Sequence, residues 1–544
     1  MILDFFRRPT NTLVSAAIVV GVLSFASRLV GLLRDRILAA RFGAGDTLDV
    51  YYAAFRIPDT VFALLVVGAL SASFIPLFMK YAGEGRVRDE RAWVFTNNVL
   101  HLIAIAFFGL AVVGVLFAEP LAGLIAPGFS PHKLALVVQM MRVMFLAQLL
   151  LSVSTIFGSV LQATKRFVMF ALAPIVYNVG IILGVLVLVE PFGPMGLAWG
   201  VVLGALFHLV VSSVGVRWVG YKHFWTASLK DSDTREALAL MLPRVLGLGV
   251  IQLQFVLLTV MASGLAAGSL AVFQLAYNLQ YFPVGILGVS YAIAAFPVLS
   301  EYARREDTRG FVETFSSAVR QMLYFIIPAS LVFLLLRAQI VRVVLGAGAF
   351  DWTDTIFVAD TLALFALSFF AQAIIYILVR GYFAYKDSVT PLVAGAVSTV
   401  ILLFASVSFS RILLEDGRAF GVAGLALAFS LTMVLQMALL WAILRLRVGS
   451  LGESRILPGL AKMCVAGLCC AVVMMGAKTL TPPVVALTTF WGVLLQGLFA
   501  GGLGLATYVA VTWALKTEEF EMIRSGIDRK IFARFRAAEA GTDL

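Results

Sequence analysis

SRLVGLLRDRILAARFGAGDTLDVYYAAFRIPD, residues 27–59, places Arg28, Arg34, Asp35, Arg36, Arg41, Asp46, Asp49, Arg56 and Asp59 between two apolar runs, Leu13 to Phe25 and Thr60 to Phe78. A charge at bilayer depth is disfavoured by roughly 3 kcal/mol on insertion scales, so such residues face one another or a polar cavity. Several in neighbouring turns predict a hydrated, cationic cavity, and the rest of the chain reads as the frame that holds it open. Arg28 and Arg34 lie six residues and about 120° apart around one helix, and both are read as lining the cavity wall. Arg36 and Arg41 fall nearer the outer end and read as interhelical salt bridges or as side chains snorkelling to the interface.

The frame is built for lipid. The 544 residues are 61% hydrophobic and 13% charged, with a mean hydropathy of +0.99, which excludes a soluble composition. Apolar runs of about 20 residues recur, each long enough to cross a hydrocarbon core of roughly 30 Å. They are continuous rather than alternating, which excludes a barrel. The fold class is therefore an all-α polytopic membrane protein. The net charge of +11 sits mainly in loops between spans, where it faces anionic lipid headgroups rather than nucleic acid. Cys464, Cys469 and Cys470 share one apolar run, and His101, His132, His208 and His223 show no ligand spacing, so neither a disulfide framework nor a metal is expected. No cofactor is implied. No paired carboxylates or nucleophile–base pattern stands at a cavity position, so the chain does not read as an enzyme. Arg7 and Arg8 before an apolar stretch resemble a signal peptide, but that stretch is too long and reads as an uncleaved first span.

Fourteen spans are expected: six up to residue 217, six more between 238 and 445, and two at about 456–477 and 487–515, followed by a tail from Lys516 to Leu544. This divides the chain into lobes at 1–217 and 218–447, an extra pair at 448–515 and a cytoplasmic amphipathic tail at 516–544. Basic residues concentrate on one side, among them Arg86, Arg88, Lys165, Arg166, Arg304, Arg305, Lys386 and Arg447, which puts both termini in the cytoplasm. Three motifs recur in order: GPMGLAWG (193–200) as GVAGLALA (421–428), FIPLFMKY (74–81) as FPVLSEY (296–302), and ATKRFVMFALAP (163–174) as YFAYKDSVTP (382–391). Repeated halves with a site between them are a transporter plan, here with the halves parallel. Pro58, Pro76, Pro174, Pro283, Pro297 and Pro328 interrupt or flank spans. The tail alternates apolar and basic residues at helical spacing, which predicts a helix lying on the membrane face, dispensable beyond Lys516.

The charged stretch also carries a resemblance. Ser27, Arg28, Gly31, Arg34 and Asp35, then FGAG (42–45), Asp49 and AFRIP (54–58), resemble the lipid II flippase family, MurJ or MviN. The likeness continues through GALSASFIP (68–76), APGF (126–129), Lys165, Arg166, Pro174, Asn178, Lys386, Asp387, Thr390 and Pro391. It implies the multidrug/oligosaccharidyl-lipid/polysaccharide exporter fold: two pseudo-symmetric six-helix lobes around a central cavity, plus two C-terminal helices forming a groove for the lipid chain. It also implies a function, translocation of the undecaprenyl-pyrophosphate-linked peptidoglycan precursor across the bacterial plasma membrane. Its partners are that precursor, membrane lipids and the cell-wall synthesis machinery. Guanidinium groups suit a pyrophosphate because they bind phosphate through paired donors without losing charge. The implied substrate-binding set is Ser27, Arg28, Arg34, Asp35, Asp49, Arg56 and Asn278, with Asp35 and Asp49 orienting the arginines.

The sequence departs from the family pattern at Phe62, Ala63 and Val67, where relatives carry arginines and a glutamate, and at Tyr277 and Asn278, where an acidic–arginine pair is usual. The seventh, eleventh and twelfth spans contain no Asp, Glu or Asn for the sodium site of some relatives. Two other readings stand beside the flippase: an exporter of another lipid-linked oligosaccharide or of drugs on the same fold, and a membrane scaffold that has lost transport.

Overall fold

A computed structural model describes residues 13–67, 74–82, 87, 89–412, 421–481, 489–522, 524 and 525, with side chains from residue 19 onward except 242–244. Every regular element among these residues is helical. The chain begins with α1 (Leu13–Phe42) and α2 (Asp46–Phe62), the latter running into a π-helical turn at Ala63–Val67. After α3 (Ile75–Met79), α4 (Glu90–Leu116) and α5 (Ala118–Ile125) come α6 (Pro131–Ala163) and α7 (Phe167–Leu183). A second π-helical turn, Gly184–Leu188, joins α7 to α8 (Val189–Phe192), and α9 (Met195–Val219) and α10 (Ser232–Ser263) follow. The remainder is α11 (Ser269–Arg304), α12 (Thr308–Leu335), α13 (Arg337–Leu345), α14 (Trp352–Ala366), α15 (Phe369–Ala384), α16 (Val389–Ser410), α17 (Gly421–Val448), α18 (Glu453–Leu480) and α19 (Phe490–Ala514). Several begin at a side-chain cap that satisfies an otherwise orphaned amide: Asp89 accepts from Arg91 N, Asp231 from Thr234 N, Asp307 from Gly310 N and Thr489 from Gly492 N.

Eleven of the described helices are long and apolar enough to cross a membrane, and the pair α14 and α15, bent by 47°, makes a twelfth if taken as one span. The expected count of fourteen is therefore not reached among the described residues. The two spans outside that set are the ones that carry the charged stretch, α1 and the broken run from α2. Large aliphatic and aromatic side chains point outward from the spans, as at Phe404 and Val472, because lipid is as good a neighbour for them as protein. The expected motif at 68–76 lies outside the described residues over 68–73.

The chain forms two compact units. One holds the residues up to Leu275 with Val344–Asp354 and Leu403–Leu425; the other holds Ala276–Val343, Thr355–Leu402 and Ala426 onward. Within the first unit, α7 and α9 meet through glycines: a Cβ on Gly180 would lie 2.3 Å from Gly204 Cα, and one on Gly184 2.3 Å from Gly200 Cα. Such stripes of small residues let helix backbones touch where no hydrophobic effect drives helices together in lipid.

Two of the three sequence repeats are also repeats of conformation. Gly193 and Gly421 open their motifs at φ of 55° and 54°. In each motif the fourth residue is a glycine packed on the preceding helical segment: a Cβ on Gly196 would lie 2.4 Å from Leu188 O, and one on Gly424 2.5 Å from Phe409 O. The ATKR and YKDS turns match likewise. Lys165 and Lys386 sit at φ of 60° and 59°, and the next amide reaches back five residues in both, Arg166 N to Leu161 O at 2.8 Å and Asp387 N to Tyr382 O at 3.0 Å. These are the same helix C-cap built twice, with a lysine where glycine is the usual choice.

The tail departs from expectation. In the second unit, Arg320 of α12 is buried and pairs with Glu518 at 2.5 Å and with the buried Glu519 at 3.1 Å. Removing one partner of a buried ion pair costs about 3–5 kcal/mol, because the remaining charge is left without compensation. The segment after Lys516 is thus docked on α12 as far as Glu519. The amphipathic part expected around Ile527, Ile531 and Phe535 lies outside the described residues.

Candidate functional site

Arg34, in the middle of α1, is the centre of the charged stretch. Its Nε and Nη2 donate to Asp35 Oδ1 at 3.0 and 2.7 Å, and its Nη1 donates to Asn178 Oδ1 on α7 at 2.9 Å. The Asn178 amide is oriented for this, since its Nδ2 donates to Pro174 O at 3.0 Å and so leaves Oδ1 for the guanidinium. Gly31, one turn before Arg34, faces the same amide, and a Cβ there would lie in ordinary contact, 4.0 Å from Asn178 Nδ2. Asp35 is 3% exposed, while the Arg34 side chain keeps 23% of its surface. One N–H on each terminal nitrogen of Arg34 remains after these bonds, a geometry suited to two oxygens of a phosphate. Around it stand three phenols, Tyr51 and Tyr52 of α2 and Tyr177 of α7. The buried Tyr52 hydroxyl has no hydrogen-bond partner among the described residues.

A second arginine lies further along α2. Arg56 Nε donates to Thr259 Oγ1 at 3.0 Å and its Nη2 to Gln274 Oε1 at 3.3 Å, with the guanidinium carbon 5.3 Å from the centre of the Phe255 ring. Ser27 and Arg28 are half-buried on α1, about two turns before Arg34. Asn278 lies on α11 in the second unit. Its neighbour Tyr277 is not a vacant acidic position: it packs edge-on against Phe365 at 6.0 Å and Phe429 at 6.1 Å, in an aromatic cluster of that unit.

Asp49 does something the sequence did not announce. Its carboxylate, 2% exposed, accepts from Gly268 N at 2.7 Å and from Ala271 N at 2.9 Å, and Lys133 Nζ lies 3.7 Å away. It therefore caps the N-terminus of α11, where the helix dipole favours a negative charge. Lys133 also pairs with Asp46 at 2.5 Å. The FGAG turn is gripped on a second side by the segment after α13. Ala349 N donates to Ala40 O at 2.8 Å, and Ala44 N donates to Asp354 Oδ2 at 3.0 Å. Arg36 does not snorkel: it donates to Val344 O at 3.1 Å and Gly346 O at 3.4 Å, at the C-terminal end of α13. These contacts form a seam too tight for side chains at two points. Gly268, at φ 85°, would put a Cβ 1.9 Å from Ala44 O, and Gly348, at φ 55°, would put one 2.3 Å from Ala40 O.

The structure thus brings Arg34 and Asp35 together with Asn178, joins Arg56 to Thr259 and Gln274, and places Asp49 in the seam. Thr259, Gln274, Lys133 and the tyrosines were missed as site residues. Lys133 was legible only as a lone charge on the less basic side, and Tyr51 and Tyr52 only as aromatics inside the charged stretch.

Residues 38–495 match the family model for the lipid II flippase MurJ. A probable lipid II flippase MurJ of Vibrio cholerae is 26% identical over 525 residues, covering 92% of this chain and 96% of its own. A lipid II flippase MurJ of Burkholderia cenocepacia is 27% identical over 441 residues, covering 79% and 84%. Among solved structures, a lipid II flippase MurJ in an inward closed conformation superposes with a TM-score of 0.73 at 22% identity, covering 92% of this chain and 99% of that one. An inward-facing multidrug resistance MATE transporter of the MOP superfamily gives 0.62 at 15% identity, covering 80% and 99%. With the family model spanning most of the sequence, from the Arg34 helix to α19, the chain belongs to the lipid II flippase family MurJ.

Proposed function

We propose that this protein carries lipid II from the inner to the outer leaflet of the bacterial plasma membrane by alternating access, with the pyrophosphate bound at Arg34. The observation that carries this reading is the Arg34 guanidinium, fixed by Asp35 and Asn178 yet still partly open. Asp35 holds the fork in one orientation, so little side-chain entropy is lost when a phosphate arrives. It also offsets part of the positive charge, which keeps binding reversible, as a carrier requires. Tyr52 can donate to a further phosphate oxygen. Arg28 and Arg56 extend the cationic path along α1 and α2, and Ser27 contributes a neutral hydrogen bond to the same substrate.

In this reading the lobes are 1–217 and 218–447, and residues 448–515 receive the polyprenyl chain. The enzymes that make and consume the precursor are the protein's neighbours in the cell. Both termini face the cytoplasm, and the seam at FGAG, Gly268 and Gly348 closes the outer end. Tags near Ser130 and Asp351 should accordingly report the extracytoplasmic side, and a tag at the C-terminus the cytoplasm; one internal loop on the wrong side would reverse the assignment.

The function is tested by complementation. Expression of this chain should restore growth and lipid II translocation to a bacterial strain depleted of its own flippase. Failure at normal membrane levels, with peptidoglycan synthesis in the source cell unaffected by depletion of the protein, would favour export of another lipid-linked oligosaccharide or of drugs. A deletion phenotype combined with a silent Arg34→Ala would favour a scaffold.

A further inference from the structure

We propose that a cavity of about 480 Å³ in the first unit binds the headgroup of a phospholipid that carries both a phosphate and a primary ammonium, as phosphatidylethanolamine does. Ile37, Ala40 and Arg41 of α1 line one side of it, and Val185, Leu186 and Glu190, from the π-helical turn and α8, line the other.

The chemistry of the lining selects the occupant. Arg41 and Glu190 are both exposed, and neither has an ion pair or hydrogen bond among the described residues. Two opposite charges on one cavity, not spent on each other, are answered together by a zwitterion. A phosphate diester accepts paired N–H bonds from the guanidinium, and a primary ammonium donates to the carboxylate. A purely anionic headgroup satisfies Arg41 but is repelled by Glu190. A choline headgroup carries the positive charge but no N–H to donate. The aliphatic side chains between the two charges suit the first methylenes of the lipid tails.

The cavity is shaped by backbone rather than by rotamers. The π-helical turn inserts an extra residue into the helix, a feature found often at functional sites. It leaves Leu186 and Val187 60% and 56% exposed. The turn cannot slide inward, because Gly184 already lies against Gly200. Arg41 follows Ala40, whose carbonyl accepts from Ala349 N in the seam. An occupant of the cavity therefore lies beside the helix end that enters the seam.

The test is a native mass-spectrometry titration of the purified full chain with dioleoyl-phosphatidylethanolamine, dioleoyl-phosphatidylglycerol and dioleoyl-phosphatidylcholine. The first equivalent of phosphatidylethanolamine should bind about tenfold more tightly than phosphatidylglycerol, the scale of one charge-assisted hydrogen bond. Glu190→Gln should remove that preference by tightening phosphatidylglycerol, and Arg41→Gln should weaken all three lipids. Equal affinities of the unmodified protein for phosphatidylethanolamine and phosphatidylglycerol overturn the proposal, as does an unchanged ratio in Glu190→Gln; either result assigns the bound lipid to the non-specific shell. Should a variant fail to fold, the comparison on the unmodified protein decides alone.

Discussion

Arg34→Ala is expected to weaken lipid II binding by roughly ten- to a hundredfold, since a charge-assisted hydrogen bond contributes on the order of 1.5–3 kcal/mol. The structure sharpens this expectation in two ways. Asp35 and Asn178 already hold Arg34, so its removal also takes away the guanidinium that pairs with the buried Asp35 carboxylate at 2.7 Å. Arg34→Lys keeps the charge but cannot bridge Asp35, Asn178 and a phosphate at once, so it should recover only part of the loss. Asn178→Ala removes an orienting group rather than a binding group and should cost less than Arg34→Ala. The measurements are lipid II binding to purified protein and complementation at matched membrane levels. Activity of Arg34→Ala equal to that of the unmodified protein would remove the central claim and leave a fold without the proposed site.

Among the described glycines, Gly268 should give the most damaging alanine substitution. Its φ of 85° strains any residue with a Cβ, at about 1–3 kcal/mol, and that Cβ would sit 1.9 Å from the Ala44 carbonyl oxygen. The backbone cannot step aside cheaply, because Gly268 N donates to the buried Asp49. Gly109→Ala is the matched control. It lies within α4 with nothing within 4 Å of a new Cβ, and alanine is favoured over glycine in a helix by about 1 kcal/mol. Thermal unfolding of the purified variants should show a clearly lowered midpoint for Gly268→Ala and none for Gly109→Ala. Complementation should fail in step with the first. Indistinguishable midpoints for the two would mean that the seam is looser than its contacts imply.

The fold class was legible because lipid is a severe solvent. Nine charges between two apolar runs have to meet each other or water, and that constraint acts on the sequence before any tertiary contact forms. The internal repeat was legible through its glycines and lysines, whose unusual backbone angles recur at matching positions. The span count was less secure, since the two charged helices are the ones that length and apolarity do not mark as spans.

What only the tertiary structure decided are the partners distant in the chain. Asn178 lies 144 residues from Arg34, and Ala271 lies 222 from Asp49. No periodicity encodes such a pairing. Asp49 therefore read as an orienter of arginines, although its carboxylate is used to satisfy amides at the start of α11. Arg36 read as an interhelical salt bridge or a snorkelling side chain, and the carbonyls it binds are brought to it by a segment some 308 to 310 residues away. The sequence determined that these charges need partners, because a buried charge without one is costly in lipid or protein; packing determined which partners they found.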